Sequence, residues 1–253
     1  MAFGIKGKQG GGQVIATQYS IPSSALNFWK ERLSNFNIAF KSETRFKQRR
    51  LSFQDHDGLN IELVEEDESP VNEWTFNGID QSNAIKGFYG AYLNSTRPEK
   101  TLQDLQNVLG YRLIDESETA YLLESSDSLG RFIELDKASQ PLGEMGVGIV
   151  HHIAFRVHNE EIQLKIRELI DAKGYHITPV INRSYFKSIY FRESGSILFE
   201  LATDQPGFTL DEPLEQLGMQ LKIPAQHNHL KDKILSHLKP ITIREVNLNE
   251  TNH

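Results

Sequence analysis

One phrase recurs three times along this 253-residue chain: an apolar strand with a carboxylate in its middle. "GLNIELVE" places it at Glu62, "GRFIELDK" at Glu134 and "SILFELAT" at Glu200, at intervals of 72 and 66 residues. An ionised glutamate inside an apolar run is costly unless something positive or hydrogen-bonding meets it. The recurrence therefore asks for a repeated fold and for a partner to each carboxylate. The stretches leading to each phrase are also alike. Strand-like "QVIATQYSI" is followed by helical "PSSALNFWKERLS", with Pro22 at its start, then by "RRLSFQD" and "LNIELVE" across the turn "DHDGL". The second series is "KGFYGAYL", then "STRPEKTLQDLQNVLGY" with Thr96 and Glu99 as a capping box and Gly110 as a stop, then "AYLLES" and "GRFIELD". The third is "IVHHIAFRV", then "NEEIQLKIRELIDAKGY" with Ile162, Ile166, Leu169 and Ile170 on one face, then "SIYFRES" and "SILFELAT". Three βαβββ units result, at about 13–66, 85–137 and 148–205. They predict an α+β fold of curved mixed sheets. A linker-like start covers 1–12, and the loop-rich tail at 206–253, with one short helix in "HLKDKILSHLK", is expected to wrap over the last unit.

Composition removes several function classes. The net charge is -7 and no dense Lys/Arg block occurs, which argues against nucleic acid as the partner. The absence of cysteine excludes disulfides, thiolate metal sites and cysteine nucleophiles, and fits a cytoplasmic protein. No apolar run approaches the ~18 residues of a membrane span. The opening "MAFGIKGKQGGGQ" lacks the apolar core of a signal peptide.

Strand alternation decides which side chains share a face. In "HHIAFRV", His152, Ala154 and Arg156 point one way, while His151, Ile153, Phe155 and Val157 form the more apolar set expected to meet the helix. In "SILFELAT", Leu198, Glu200 and Ala202 share a face opposite Ile197, Phe199 and Leu201. The first and last strands of one unit can bring His152 and Glu200 together in the hollow of the sheet. An imidazole and a carboxylate are two of the three ligands of a two-histidine, one-carboxylate metal site. Glu62 and Glu134 have no histidine in the matching first strands and are expected to face solvent. Among the other histidines, His56 falls in the "DHDG" turn, His158 and His176 flank the third helix at the surface, and His227 and His229 read as a polar tail loop.

"GVGIVHHIAFRV", followed 48 residues after His152 by the glutamate of "ILFELATDQPGF", resembles the vicinal oxygen chelate superfamily. More narrowly it resembles the hydroquinone-type extradiol ring-cleaving dioxygenases, often called glyoxalase-family proteins, and the likeness extends to "IKGFYGA", "NRSYFKSIYFRESG" and the tail. The resemblance implies an Fe(II)-dependent enzyme, with Mn(II) as the other ion that suits such a site, acting on a hydroquinone or catechol-like aromatic and O₂. It carries His152 and Glu200 over as metal ligands. His151 is then either a group behind the ligands or, if the strand phase is shifted by one, the ligand itself. Tyr190 and Arg183, ten and seventeen residues before Glu200, fall where the resemblance places groups that bind substrate. A phenol can hydrogen-bond a bound phenolate, and a guanidinium can stabilise negative charge developing there.

The family of this type has four βαβββ units, its first unit supplying a histidine to the metal. Three are found here, and "FGIKGKQGGGQV" looks like the linker that follows a first unit. Three explanations follow: the chain is a fragment of a longer one or carries a misassigned start, a second polypeptide supplies the missing unit, or catalysis is lost and a binding role kept; since a third unit without its partner exposes a concave apolar sheet, a homodimer or a complementing chain is expected. Two rivals follow. A lyase or isomerase of the glyoxalase kind needs a second glutamate, Glu62 or Glu134, facing the metal. A metal-free binding or sequestering protein needs neither His152 nor Glu200.

Overall fold

Runs alternating between apolar and polar residues become strands, and each βαβββ series crosses over through one helix. The computed structural model describes residues 4–239. Its first series is β1 (Gln13–Ile21), α1 (Leu26–Asn35), β2 (Phe40–Arg45), β3 (Gln48–Gln54) and β4 (Asn60–Glu65). The second is β5 (Gly87–Asn94), α2 (Pro98–Asn107), β6 (Arg112–Glu116), β7 (Ala120–Glu124) and β8 (Phe132–Asp136). The third is β9 (Ile153–Val157), α3 (Glu160–Ala172), β10 (Ile181–Asn182), β11 (Lys187–Arg192) and β12 (Leu198–Thr203), followed by three short 3₁₀ turns and α4 (Lys231–His237).

The first two series merge into one eight-stranded sheet in the order β2-β3-β4-β1-β5-β8-β7-β6. Within each, the first strand runs parallel to the last, as a helical crossover requires, and the seam between them is the antiparallel pair β1–β5. The third series forms its own sheet, β10-β11-β12-β9, again with a parallel β9–β12 pair. Among the described residues no strand pairs with the other side of β9. The curved mixed sheets are those the repeated pattern predicts.

Helix α1 lays Leu26, Trp29 and Leu33 against Ile21, Leu51 and Leu63. A larger core joins the second series to the third, with Leu93, Leu105, Leu123 and Ile133 packed among Ile170, Phe191, Phe199 and Leu201. Three local readings are corrected. Pro22 precedes α1 by four residues rather than opening it. No Thr96–Glu99 capping box forms at α2; Pro98 begins the helix, and the Ser95 hydroxyl accepts the Arg97 amide instead. On α3, Leu169 and Ile162 are exposed while Gln163 is fully buried. Its Nε2 donates to the carbonyls of Lys187 at 2.9 Å and Leu201 at 2.8 Å, so a polar clamp, rather than a continuous apolar stripe, fixes the helix to β11 and β12. The tail meets the third unit where Tyr185 stacks on Phe208 and bonds Asp211; further along, α4 lies exposed.

Candidate metal centre

The register of the third sheet builds the site. Glu200 on β12 stands opposite Ala154 on β9 and opposite Tyr190 on β11. Residues directly opposite, or two apart on one strand, share a face. His152, immediately before β9, and Ser188, two before Tyr190, therefore join Glu200 on one surface. Glu200 is 3% exposed. Its carboxylate accepts a hydrogen bond from the Ser188 hydroxyl and lies 2.6 Å from Nε2 of His152. The His152 ring meets Tyr190 edge-on, centroids 5.7 Å apart. Nδ1 of His152 lies 2.9 Å from Nδ1 of His151, so one of the two nitrogens carries the shared proton. Arg183 reaches from the turn after β10, its Nη2 3.4 Å from the Tyr190 hydroxyl and its guanidinium 5.6 Å from the ring centre. A cleft of about 410 Å³ opens over this surface, between His152, Ala154, Phe186 and Glu200. At its rim Arg156 binds Asp204 at 2.6 Å, and that contact holds the Asp204 carboxyl below its ordinary range.

All five residues singled out from the sequence thus come together: His152 and Glu200 in direct contact, Tyr190 and Arg183 in series beside them, His151 behind His152. The strand begins one residue after His152, so the reading of "IVHHIAFRV" as strand throughout overshoots at its start. Ser188 was missed. Its signal is the two-residue spacing to Tyr190 in "KSIYF", which becomes informative only once β11 is known to pair with β12.

Glu62 and Glu134 overturn the solvent-facing expectation. They are 5% and 0% exposed and lie in the eight-stranded sheet, away from His152. Both are bound by Arg45 and Arg50, and the amide of Gln18 donates to Glu62 at 2.9 Å and Glu134 at 3.0 Å. Burial works against the charge on Arg45, but Glu134, Glu62 and Glu43 outweigh it and raise its pKa. The sequence-stretch reading failed because the two arginines arrive from β2–β3, whose pairing against β4 is a tertiary event. Glu200 differs from its two counterparts: among the described residues no arginine or lysine pairs with it. A buried carboxylate with one imidazole, one hydroxyl and an aromatic edge around it is a donor set that suits a divalent cation.

The other histidines among the described residues build no centre. His158 reaches only Asp204, at 3.5 Å, and His227 and His229 lie on an exposed 3₁₀ turn. Asp55, His56 and Asp57 cluster at the β3–β4 turn, but the Asp55 carboxylate already accepts the amides of Asp57 and Leu59, which is turn chemistry.

The fold and this surface define a class. Residues 88–211 match the Glyoxalase/Bleomycin resistance protein/Dioxygenase superfamily, to which this chain belongs. It is 41% identical over 241 residues to a Bacillus subtilis (strain 168) protein provisionally named as ring-cleaving dioxygenase MhqO, covering 95% of this chain and 77% of that one. It is 30% identical over 249 residues to the chlorohydroquinone/hydroquinone 1,2-dioxygenase of Sphingobium indicum, with the same coverage. A Bacillus subtilis crystal structure, provisionally described as a dioxygenase, superposes with a TM-score of 0.91 at 40% identity, over 97% of this chain and 79% of that one.

Proposed function

We propose that this chain is a ring-cleaving dioxygenase that uses Fe(II), held by His152 and Glu200, to open the ring of a hydroquinone or catechol-like aromatic with O₂. The observation that carries this reading is the contrast among the three matched carboxylates. Glu62 and Glu134 are neutralised by arginines, whereas Glu200, equally buried, faces an imidazole across 2.6 Å and no fixed cation. The relatives named as ring-cleaving and hydroquinone dioxygenases support the reaction class.

Iron would supply Lewis acidity toward a substrate oxygen and the one-electron chemistry that lets a closed-shell ring react with O₂. The protein's own groups do the rest. Ser188 holds Glu200 so that one oxygen stays directed at His152. With iron bound, His151 would accept a proton from Nδ1 of His152, leaving the lone pair of Nε2, on the Glu200 side, for the metal. Tyr190 offers its hydroxyl to a substrate oxygen, and Arg183 behind it favours the negative charge that builds there on deprotonation. Ala154 and Phe186 leave a flat, apolar wall that suits an aromatic ring.

Two imidazoles are needed for the full ligand set, and His152 is one. The open edge of β9 is where a second copy or a complementing chain would add a unit, as β5 adds to β1 within this chain. The glyoxalase-like alternative is disfavoured, since Glu62 and Glu134 are tied to arginines in the other sheet. The test is iron content after anaerobic loading, for the native chain and Glu200→Ala, followed by oxygen uptake with hydroquinone. Near-stoichiometric iron lost in the variant, with uptake only in the native protein, is the expected result. Iron retained by Glu200→Ala would sink the site assignment.

A further inference from the structure

The eight-stranded sheet contains a place that corresponds, position by position, to the His152–Glu200 surface. The matched carboxylates fix the correspondence. Glu62 stands opposite Gln18 on β1, Glu134 opposite Tyr92 on β5, and Glu200 opposite Ala154 on β9. Counting two residues back along each first strand, His152 corresponds to Ala16 and to Gly90. Neither can ligate a metal. At Gly90 a β-carbon would sit 2.0 Å from the carbonyl oxygen of Phe132, so no side chain fits there. Across the β1–β5 seam Gln18 faces Gly90 and Ala16 faces Tyr92, so the two half-sites meet on one face. Glu62 and Glu134 both lie within 3.0 Å of the single Gln18 nitrogen.

Two carboxylates this close, and this buried, cannot both stay ionised without a cation between them. Arg45 and Arg50 are that cation. Arg50, fully buried, spans both carboxylates with one terminal nitrogen; Arg45 reaches both from the outer side, over the Tyr92 ring at 4.4 Å. The fit is imperfect. Buried Nε atoms of both arginines, Oε1 of Gln18 and Oε2 of Glu134 have no hydrogen-bond partner.

We infer that Glu62, Glu134 and Gln18 form a latent oxygen-ligand site for a small divalent cation, which Arg45 and Arg50 keep closed by serving as its built-in cation. Gln18 now turns its amide nitrogen toward the two carboxylates; with a cation in place of the guanidiniums its amide would turn over and offer Oε1, and two carboxylates with one amide oxygen suit Mn²⁺, Mg²⁺ or Ca²⁺ rather than a softer ion. In the native chain the consequence is that metal chemistry is confined to the third unit. The two matched surfaces differ in whether the positive charge comes from the chain or from solution.

The test uses Mn²⁺ alone, followed by electron paramagnetic resonance, in chains that all carry Glu200→Ala so that the third-unit surface contributes nothing. The chain with both arginines is expected to bind no Mn²⁺ at the seam. Arg50→Met should bind one Mn²⁺ at least about tenfold more tightly, because the two carboxylates regain an unmet charge. Adding Glu134→Gln should abolish the gain. Because Arg50→Met loses a buried cation and can be poorly folded, its melting temperature is measured with and without Mn²⁺ as a second readout. A rise with Mn²⁺ that is absent in the parent and in the Arg50→Met, Glu134→Gln double variant supports the site. No gain in Mn²⁺ binding and no melting shift would overturn it. So would Mn²⁺ held by the parent in a way that Glu134→Gln removes, since the arginines would then not be closing the site. Neither result bears on the third-unit centre, which the Glu200→Ala background has removed.

Discussion

In the proposed function Glu200 carries the chemistry because, among the described residues, no arginine or lysine meets it. Its neighbours are Ser188, His152 and Tyr190, and each has a separable role. Tyr190→Phe removes only a hydroxyl, so iron content should remain unchanged while turnover with hydroquinone falls by about a hundred- to a thousandfold, the scale for losing one donor to a developing oxyanion. A parallel loss of iron would mean that Tyr190 supports the ligands rather than the substrate. Strand alternation made His152 and Glu200 legible, whereas Tyr190 and Arg183 were reached only through the family resemblance. The sequence hid Ser188, because a serine in a strand has no distinguishing pattern until its cross-strand neighbour is known. It also misread Glu62 and Glu134, whose arginine partners lie on other strands, β2 and β3, that reach them only through tertiary pairing.

At the scale of the element, two polar contacts hold the strands that present the site. Gln163 of α3 donates to carbonyls of both Lys187 and Leu201. Gln163→Leu leaves those bonds unmade inside a packed interface, and urea unfolding should show a loss of about 1–3 kcal/mol. The second contact is the β11–β12 turn, where the Glu193 carboxylate accepts the amides of Gly195 and Ile197 and the hydroxyl of Thr101 on α2. Burial pushes the Glu193 carboxyl above its ordinary value of 4.5, against the pull of those hydrogen bonds. The protonated form is thus favoured by the fold. The stability linked to this group is complete below pH 4.5 and is lost as pH rises through the folded value. Carboxyl NMR should find Glu193 titrating above the ordinary glutamates; a midpoint at or below 4.5 would contradict the burial argument.

Across the whole molecule, charge placement and sheet edges set what each half does. The eight-stranded sheet is closed at its seam and neutralised from within. Replacing Arg50 by Met should cost about 3–5 kcal/mol in denaturant unfolding, the scale for breaking one partner out of a buried ion cluster. Simultaneous Glu134→Gln should recover part of that loss by removing the stranded charge. The third sheet keeps an open edge at β9, beside a hollow of about 720 Å³ lined by Tyr19, Phe88, Leu109, Val150 and Phe155. An added unit there would supply the second imidazole, and sedimentation of the native chain should show an assembly larger than a monomer. A monomer that binds iron stoichiometrically would contradict that part of the proposed function. No helix among the described residues is long and apolar enough to cross a membrane.

By itself the sequence determined the βαβββ repetition, the mixed-sheet fold and the His152–Glu200 pairing, because period-two alternation and repeat spacing are local and survive translation into strands. Which series pair with which was left to the tertiary structure. The repeat is the same in all three, so nothing local distinguishes the seam β1–β5 from the open edge of β9. The fate of each matched glutamate was settled there too: two were met by arginines arriving from neighbouring strands, and one was left facing His152 and Ser188 with no arginine or lysine among the described residues.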